Sequence, residues 1–363
     1  MKTVPKKAVV LGGGSWGTAL AHIMALAGAK VLLWMRNEDR VAEVNAAHTN
    51  SRYLRDKKIH EDVGATSDLA RAAEFAETII VAIPSANFRE VAYELGDHVS
   101  GDQILLSATK GFEAEHLTRM SDILREETCC RKIGAISGPN LADEVMDNQP
   151  TATVVASPYD EVIEKTATLL AGPSMRVYGN HDIVGVEVHG ALKNIIAIAA
   201  GACAGMQLGQ NALAMLLTRG LAEISRFAEA LGADRLTALG LAGLGDLIAT
   251  CNSPLSRNNT LGRKLAEGKT LAQAQADSIK VAEGVNTTFA AAKHAARLRV
   301  DMPITRAIHA VLFEDKRPNE ALALLMSRAN RYEHSEEPID APHIMEGSVI
   351  ETALSVAARQ RGW

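Results

Sequence analysis

Aromatic residues, cysteines and long apolar runs are scarce in this chain of 363 residues. Aromatic residues make up 4% of the chain and hydrophobic residues 47%, so its cores must be built from aliphatic side chains. The longest apolar run, residues 195–206, is too short and too rich in alanine and glycine to cross a bilayer. The net charge of −5 argues against a nucleic-acid or membrane-surface partner. We therefore expect a globular protein without membrane insertion.

The cysteines and the N-terminus give a matching expectation about the compartment. Cys129, Cys130, Cys203 and Cys251 have neither zinc-ligand nor CxxC spacing, which predicts free thiols in a reducing environment. No cluster of residues has a spacing that suits a metal ion, so we expect no metal. The chain runs into its first strand pattern without a signal peptide. We therefore predict a cytoplasmic protein.

Hydrophobic patterning divides the chain into two domains and a tail. Up to about residue 180, apolar runs without polar alternation lie between helical patterns, which predicts an α/β domain with a doubly wound parallel sheet. From residue 181 to 332 the pattern is helical, and a polar linker and tail fill 333–363. The predicted strands are 8–11, 30–34, 78–83, 103–107, 132–137 and 151–156.

A glycine-rich loop follows the first predicted strand. Residues 12–17 read Gly-Gly-Gly-Ser-Trp-Gly, and a helix pattern starts at Ser15. In such a loop Gly12 permits the tight turn, Gly14 lets the backbone approach a pyrophosphate, and Gly17 lets the helix pack close to the strand. The helix N-terminus provides amide donors for the phosphates. The motif in this setting predicts a Rossmann domain that binds a dinucleotide.

The end of the second strand bears on which dinucleotide is bound. Arg36 stands where enzymes that use NADP carry an arginine for the 2′-phosphate, so the position favours NADP(H). Glu38 lies close by and keeps NAD(H) open, because a carboxylate can bond the ribose hydroxyls.

Polar residues follow several of the other strands. Pro84-Ser85, Thr109-Lys110 and Gly138-Pro139-Asn140 each come directly after a predicted strand. Because the carboxyl ends of parallel strands meet at one edge of a sheet, these residues are expected to lie together. Lys110 in that row is well placed for an anion.

The helical half contains three further candidates. Lys193 is the one lysine in an almost entirely apolar helix pattern over 186–200, where burial would disfavour its charged form. Asp246 follows a glycine-rich turn and is either an N-cap or a partner for a cation. The run Ser256-Arg257-Asn258 offers a hydroxyl, a forked cation and an amide, which suit a phosphate and a hydroxyl group.

From residue 7 to about 332 the chain resembles the NAD(P)-dependent sn-glycerol-3-phosphate dehydrogenases. The resemblance implies an N-terminal Rossmann domain, an all-α C-terminal domain and an active site in the cleft between them. It also implies NADP(H) or NAD(H) as cofactor, glycerol 3-phosphate and dihydroxyacetone phosphate as substrates, and a role in supplying phospholipid synthesis. The motifs that carry it, in family order, are GGGSWGTALA, ATKGFE, GALKNIIAI, GLGDL and LSRN.

The resemblance also implies roles for individual residues. Lys193 is implied as the general acid and base, and Asp246 as the group that orients it. The implied substrate positions are Lys110, Gly138, Asn140, Ser256, Arg257 and Asn258. The implied cofactor positions are Gly12, Gly14, Ser15, Trp16, Gly17, Arg36, Tyr53, Lys110, Ala142, Arg257, Val281 and Glu283.

Several positions depart from the family pattern, and other functions stay open. Asn140 stands where the family carries a hydroxyl, and His189, one helical turn before Lys193, is bulkier than expected. Asn259-Thr260 follows Asn258 where many members carry another arginine. One alternative is another two-domain β-hydroxyacid dehydrogenase, of the 6-phosphogluconate type, which is not expected to carry both Asp246 and Arg257 in these motifs. The other is a dinucleotide sensor without turnover, which is expected to have lost Lys193 or Asp246. The apolar helical half also leads us to expect a homodimer.

Overall fold

The structure, a computed structural model, describes residues 6–113, 115–276, 282–333 and 339. Within these ranges, eight strands form one sheet and two form a separate antiparallel pair. The strands are β1 Lys7–Leu11, β2 Lys30–Trp34, β3 Val63–Thr66, β4 Thr78–Val81, β5 Ile104–Ser107, β6 Phe112–Glu113, β7 Thr118–Arg119, β8 Lys132–Ser137, β9 Thr151–Ala156 and β10 Met175–Asn180.

The large sheet has the order β10-β9-β8-β5-β4-β1-β2-β3. From β3 to β8 the strands are parallel and follow the order of a dinucleotide-binding sheet, with the change of winding direction between β1 and β4. The predicted Rossmann sheet is therefore confirmed. It is not parallel throughout, because β9 pairs with β8 in the antiparallel sense before β10 returns parallel to β9.

Helices connect the strands and form the second half of the chain. They are α1 Ser15–Leu26, α2 Glu38–Ala47, α3 Ser51–Leu54, α4 Leu69–Phe75, α5 Phe88–Gly96, α6 Met120–Glu127, α7 Ala142–Met146, α8 Asp160–Leu170, α9 Ile183–Gly205, α10 Gln210–Ala230, α11 Asp246–Asn252, α12 Arg257–Ala266, α13 Leu271–Ala276, α14 Gly284–Leu298, α15 Pro303–Phe313 and α16 Pro318–Met326.

Both faces of the sheet are covered, which explains the apolar strand patterns. Ala8 and Val10 of β1 belong to a core shared with α1 and α8. Val9 and Leu11 face the other way and join a core shared with α4, α5 and α6. Because neither face meets water, the central strands carry no polar alternation.

The predicted strands are all present, and four strands were missed: β3, β10 and the two-residue strands β6 and β7. β3 and β10 lie at the edges of the large sheet. Val63–Thr66 is only four residues long and contains a glycine. Met175–Asn180 has only its first residue fully buried. Short or half-exposed edge strands lack the continuous apolar run by which the others were recognised.

Helix α9 is the centre of the helical half. Almost all of its residues are buried, and it packs against α10, α11, α12 and α14 as well as β8. By length and composition alone it could cross a bilayer, yet 94% of its most apolar window is buried inside the protein. The sequence argued against membrane insertion from the shortness of the apolar run. In the structure the argument is instead that this helix is buried inside the protein.

The change from sheet to helices falls where the pattern changes in the sequence. β10 ends at Asn180 and α9 begins at Ile183. Between them Asp182 caps α9, because its Oδ1 accepts a hydrogen bond of 2.8 Å from the Gly185 amide. A domain boundary at 180/181 stays a prediction. Most of the predicted tail lies outside the described residues.

Candidate active site in the cleft between sheet and helices

The glycine loop forms an open cradle at the N-terminus of α1. Gly12 has φ +125°, a conformation that suits glycine. A Cβ on Gly17 would lie 1.9 Å from the Gly12 carbonyl oxygen, so the helix approaches the loop as closely as the motif predicts. A Cβ on Gly14 would meet nothing within 4 Å, and no side chain caps the helix at this residue. The space beside Gly14 at the start of α1 is therefore open, which fits the close approach of a pyrophosphate.

A cleft of about 690 Å³ extends from this cradle into the helical half. The loops after β1, β2, β4, β5 and β8 open into it, with Pro84, Lys110 and Asn140 along one edge as predicted. Lys193, Thr250 and residues 255–258 form its opposite wall. The cleft therefore joins a dinucleotide cradle to the polar residues of the helical half.

Lys193 and Asp246 form a buried ion pair at the inner end of the cleft. The Lys193 ammonium donates to Asp246 Oδ1 and, at 2.6 Å, to Thr250 Oγ1. The other carboxylate oxygen, Oδ2, accepts a 2.6 Å bond from Lys110, whose ammonium also reaches the Gly138 carbonyl at 2.9 Å. The side chains of Lys193 and Asp246 are only 6% and 2% exposed. One carboxylate thus holds two lysines from different halves of the molecule.

This environment shifts the proton equilibrium of the buried lysine. Burial lowers the pKa of Lys193 to about 7, and the Asp246 carboxylate opposes that shift while the Lys110 ammonium adds to it. A lysine with a pKa near neutrality is available in both its charged and its neutral form at that pH.

The local fold explains why Asp246 is not an N-cap. A π-helical turn over Leu241–Gly245 leads directly into α11, and Gly245 occupies the capping position without a side-chain bond. A Cβ on Gly243 would lie 2.2 Å from the Ala238 carbonyl oxygen, so the glycines allow a tight turn. That turn aims the Asp246 carboxylate at the two lysines.

The predicted substrate residues lie on both sides of the cleft: Lys110 and Asn140 line the sheet edge, with Gly138 behind Lys110, and Ser256, Arg257 and Asn258 line the helical wall. Asn258 donates to Asn194 Oδ1 and accepts from the Gly284 amide, both at 3.0 Å, which ties α12 to α9 and α14. Ser256 lines the cleft and caps α12. Arg257 lines the cleft beside them with an exposed side chain.

Of the departures from the family pattern, Asn140 is hydrogen-bonded at both ends of its amide, whereas the buried Nε2 of His189 has no hydrogen-bond partner among the described residues. The Asn140 amide donates 3.0 Å to the Ala152 carbonyl and accepts 2.9 Å from the Thr153 hydroxyl, so both ends engage β9. His189 Nδ1 lies 2.8 Å from the Gly185 carbonyl oxygen of its own helix. Burial lowers the pKa of His189, which disfavours a charge there.

Most predicted cofactor residues also lie on the cleft. Gly17 packs behind the glycine loop and does not line the cleft, and Val281 lies outside the described residues. Glu283 accepts hydrogen bonds from the Ser85 amide and hydroxyl, and so joins the start of α14 to the loop after β4. The predicted cofactor positions that line the cleft are Gly12, Gly14, Ser15, Trp16, Arg36, Tyr53, Lys110, Ala142, Arg257 and Glu283.

Among the cleft residues that were not predicted are Thr250, Asn194, Arg40 and Arg55. Thr250 lies one turn after Asp246 on α11, and Asn194 directly follows Lys193, so helix spacing was an available signal. Arg40 and Arg55 come from the start of α2 and the end of α3, and only the folded loops bring them to the cleft. Across the described residues, no group of three or more His, Cys, Asp or Glu side chains is arranged for a metal ion.

A parallel sheet with a glycine cradle at its switch point, joined by a cleft to a buried lysine and carboxylate, is the architecture of a two-domain dinucleotide-binding protein. The chain belongs to the NAD-dependent glycerol-3-phosphate dehydrogenase family. The family model of the N-terminus matches residues 7–163 and that of the C-terminus matches residues 182–323. The predicted family is therefore confirmed.

Individual relatives agree with this assignment. The glycerol-3-phosphate dehydrogenase [NAD(P)+] of Corynebacterium diphtheriae is 46% identical over 327 residues, which is 89% of this chain and 99% of the relative. That of Staphylococcus saprophyticus is 44% identical over 330 residues, covering 90% and 99%. The crystal structure of glycerol-3-phosphate dehydrogenase from Coxiella burnetii superposes with a TM-score of 0.86 at 37% identity, covering 89% and 99%.

Proposed function

We propose that this chain is an NAD(P)-dependent sn-glycerol-3-phosphate dehydrogenase, which interconverts glycerol 3-phosphate and dihydroxyacetone phosphate. The observation that carries the proposal is the buried pair of Lys193 and Asp246 at the inner end of a dinucleotide cleft. The family membership and the names of the relatives support it.

Lys193 moves the proton in this proposal. When bound, the nicotinamide supplies the two-electron redox chemistry at C2 of the substrate. In the oxidation direction neutral Lys193 accepts the proton of the C2 hydroxyl, and in reduction its ammonium returns a proton to the C2 oxygen. A pKa of about 7 makes both forms available near neutral pH.

Asp246 and Lys110 set the conditions for that step. Asp246 fixes the position of the Lys193 ammonium and balances its charge. Lys110 holds the other carboxylate oxygen and stands beside the cleft, where it also meets an anionic substrate. The reaction needs no metal in this scheme.

The remaining cleft residues bind the two ligands. We assign the substrate phosphate to Arg257 and Asn258, across the cleft from Lys110, because a forked cation and an amide suit phosphate oxygens. Gly138, Asn140 and Ser256 complete the substrate side. The cofactor pyrophosphate lies on the amides at the start of α1, and Arg36 favours the 2′-phosphate of NADP(H) over NAD(H). We further propose a cytoplasmic homodimer that supplies glycerol 3-phosphate for phospholipid synthesis.

The experiment that tests the proposal follows absorbance at 340 nm with dihydroxyacetone phosphate and either NADPH or NADH. Lys193→Ala leaves Asp246 paired with Lys110, so the variant is expected to fold. It should lose about 10²–10⁴-fold in kcat while its cofactor Kd stays the same. Lys30→Ala, at the amino end of β2 and away from the cleft, is the matched control and should keep wild-type rates. Absence of turnover with both cofactors would overturn the proposal.

A further inference from the structure

An ion pair spans the outer end of the cofactor cleft. Arg36 Nη2 lies 3.1 Å from Glu90 Oε1, and the two side chains are 51% and 57% exposed. Arg36 follows β2, whereas Glu90 lies in the first turn of α5. The pair therefore joins the two walls between which the far end of a dinucleotide would lie.

Other cations surround the same end. Arg40 and Arg55 line the cleft near Arg36, and the Arg40 guanidinium lies 5.1 Å from the centre of the Tyr53 ring. Several guanidinium groups at one end of a cleft favour a ligand with a negative charge there. The ribose of NAD carries only hydroxyls at this place, whereas the ribose of NADP carries a phosphate.

Among the described residues Glu90 is the acidic side chain paired with Arg36, and its carboxylate occupies a bonding position on the guanidinium. A 2′-phosphate that binds Arg36 through two oxygens must displace that carboxylate or share the guanidinium with it. NAD places no anion there and requires no such exchange. Breaking the Arg36–Glu90 pair therefore weakens the binding of NADP, whereas the binding of NAD leaves the pair intact.

We propose that Glu90 sets how strongly this protein discriminates between NADP(H) and NAD(H), by competing with the 2′-phosphate for Arg36. The inference rests on the proposed function, and it makes Glu90 a specificity-determining residue that acts through Arg36. Because an exposed ion pair is weak, Glu90 moderates the preference for NADP(H) and does not reverse it.

The test is isothermal titration of NADP⁺ and NAD⁺ into the purified protein at 0.15 M salt. Glu90→Gln should lower the Kd of NADP⁺ about two- to fivefold and leave that of NAD⁺ unchanged. Glu94→Gln is the matched control, because it removes the same charge from an exposed position one turn further along α5. In this control neither Kd should change.

A double-mutant cycle separates competition from a general change in charge. In an Arg36→Gln background Glu90→Gln should no longer change the Kd of NADP⁺, because the guanidinium for which the carboxylate and the phosphate compete is absent. An equal gain from Glu90→Gln and Glu94→Gln would overturn the inference, as would weaker binding of NAD⁺ by Glu90→Gln. If the wild-type protein bound neither dinucleotide, the proposed function itself would fall with it.

Discussion

Lys110 and Lys193 bind opposite oxygens of the one Asp246 carboxylate, although they come from different halves of the molecule. The carboxylate raises the pKa of Lys193 while burial and the Lys110 charge lower it, and the balance leaves that pKa at about 7. The pKa of Lys193, the lysine that we propose as catalytic, therefore depends on Lys110, which need not contact the reacting carbon.

This balance predicts how the pH profile responds to Asp246→Asn. In the proposed mechanism the reduction of dihydroxyacetone phosphate needs protonated Lys193, so its kcat/KM should be highest at low pH and fall as the pH rises through about 7. Removing the carboxylate lowers the pKa of Lys193 further, so the fall should move to lower pH. The measurement is kcat/KM in both directions between pH 5 and 9, and oxidation should show the opposite slope. Coincident profiles for the variant and the wild type would show that Asp246 does not control this equilibrium.

Thr250 offers a test of how precisely the lysine must be held. Its hydroxyl oxygen accepts a 2.6 Å hydrogen bond from Lys193 and lies 3.3 Å from Asp246 Oδ1. Thr250→Val keeps the shape and removes the acceptor, so we expect kcat to fall about tenfold, the equivalent of one buried hydrogen bond. Thr250→Ser retains the hydroxyl and should retain most of the rate. Equal rates for the two variants would show that the hydrogen bond from Lys193 does not control the rate.

The glycine loop allows folding and cofactor binding to be separated. In Gly17→Ala the new methyl group meets the Gly12 carbonyl oxygen, so we expect a stability loss of about 1–3 kcal/mol in urea denaturation. In Gly14→Ala the methyl group meets no protein atom within 4 Å, so stability should be unchanged. It enters the open space where we propose that the pyrophosphate approaches the loop, and the dinucleotide Kd should therefore rise at least tenfold. A Gly14→Ala protein with unchanged Kd would place the pyrophosphate elsewhere.

The sequence predicted those parts of the fold whose signal is local. Central strands such as β1 and β4 are buried on both faces and read as apolar runs, and the 12–17 loop has its own motif. Edge strand β10 has no such signal, and the reversal between β8 and β9 depends on how α7 returns the chain. Register and strand direction at a sheet edge are decided by tertiary packing, which a local pattern does not report.

The candidate site shows the same division. The isolation of Lys193 in an apolar helix predicted its burial, and the ordered family motifs implied Asp246 as its partner. Lys110 shares the Asp246 carboxylate because the loop after β5 lies close to the start of α11 in the folded protein. No spacing in the sequence encodes that proximity. Arg40 and Arg55 reach the cleft for the same reason. Thr250 lies four residues after Asp246 and therefore on the same face of α11. A helix prediction for residues 246–252 would have identified Thr250 as a site residue.

A stability prediction concerns Glu223, far from the cleft in the helical half. Its carboxylate on α10 is 1% exposed and accepts bonds of 2.8 Å from the amides of Ile304 and Thr305 and of 2.6 Å from the Thr305 hydroxyl. These amides belong to the first turn of α15, whose N-cap residue Met302 provides no side-chain bond. Glu223 therefore replaces the missing cap from a distant helix.

Replacing this carboxylate should destabilise the protein without changing its chemistry. Glu223→Ala leaves buried donors of α15 without a partner and should cost about 2–4 kcal/mol in the free energy of unfolding. Thr305→Val keeps both amide bonds to Glu223 and should cost about 1 kcal/mol. The measurement is urea denaturation of both variants beside the wild type, with kcat determined well below the melting temperature. Equal stability of Glu223→Ala and the wild type would mean that α15 does not need this cap, and a loss of kcat in folded protein would connect Glu223 to the distant active site.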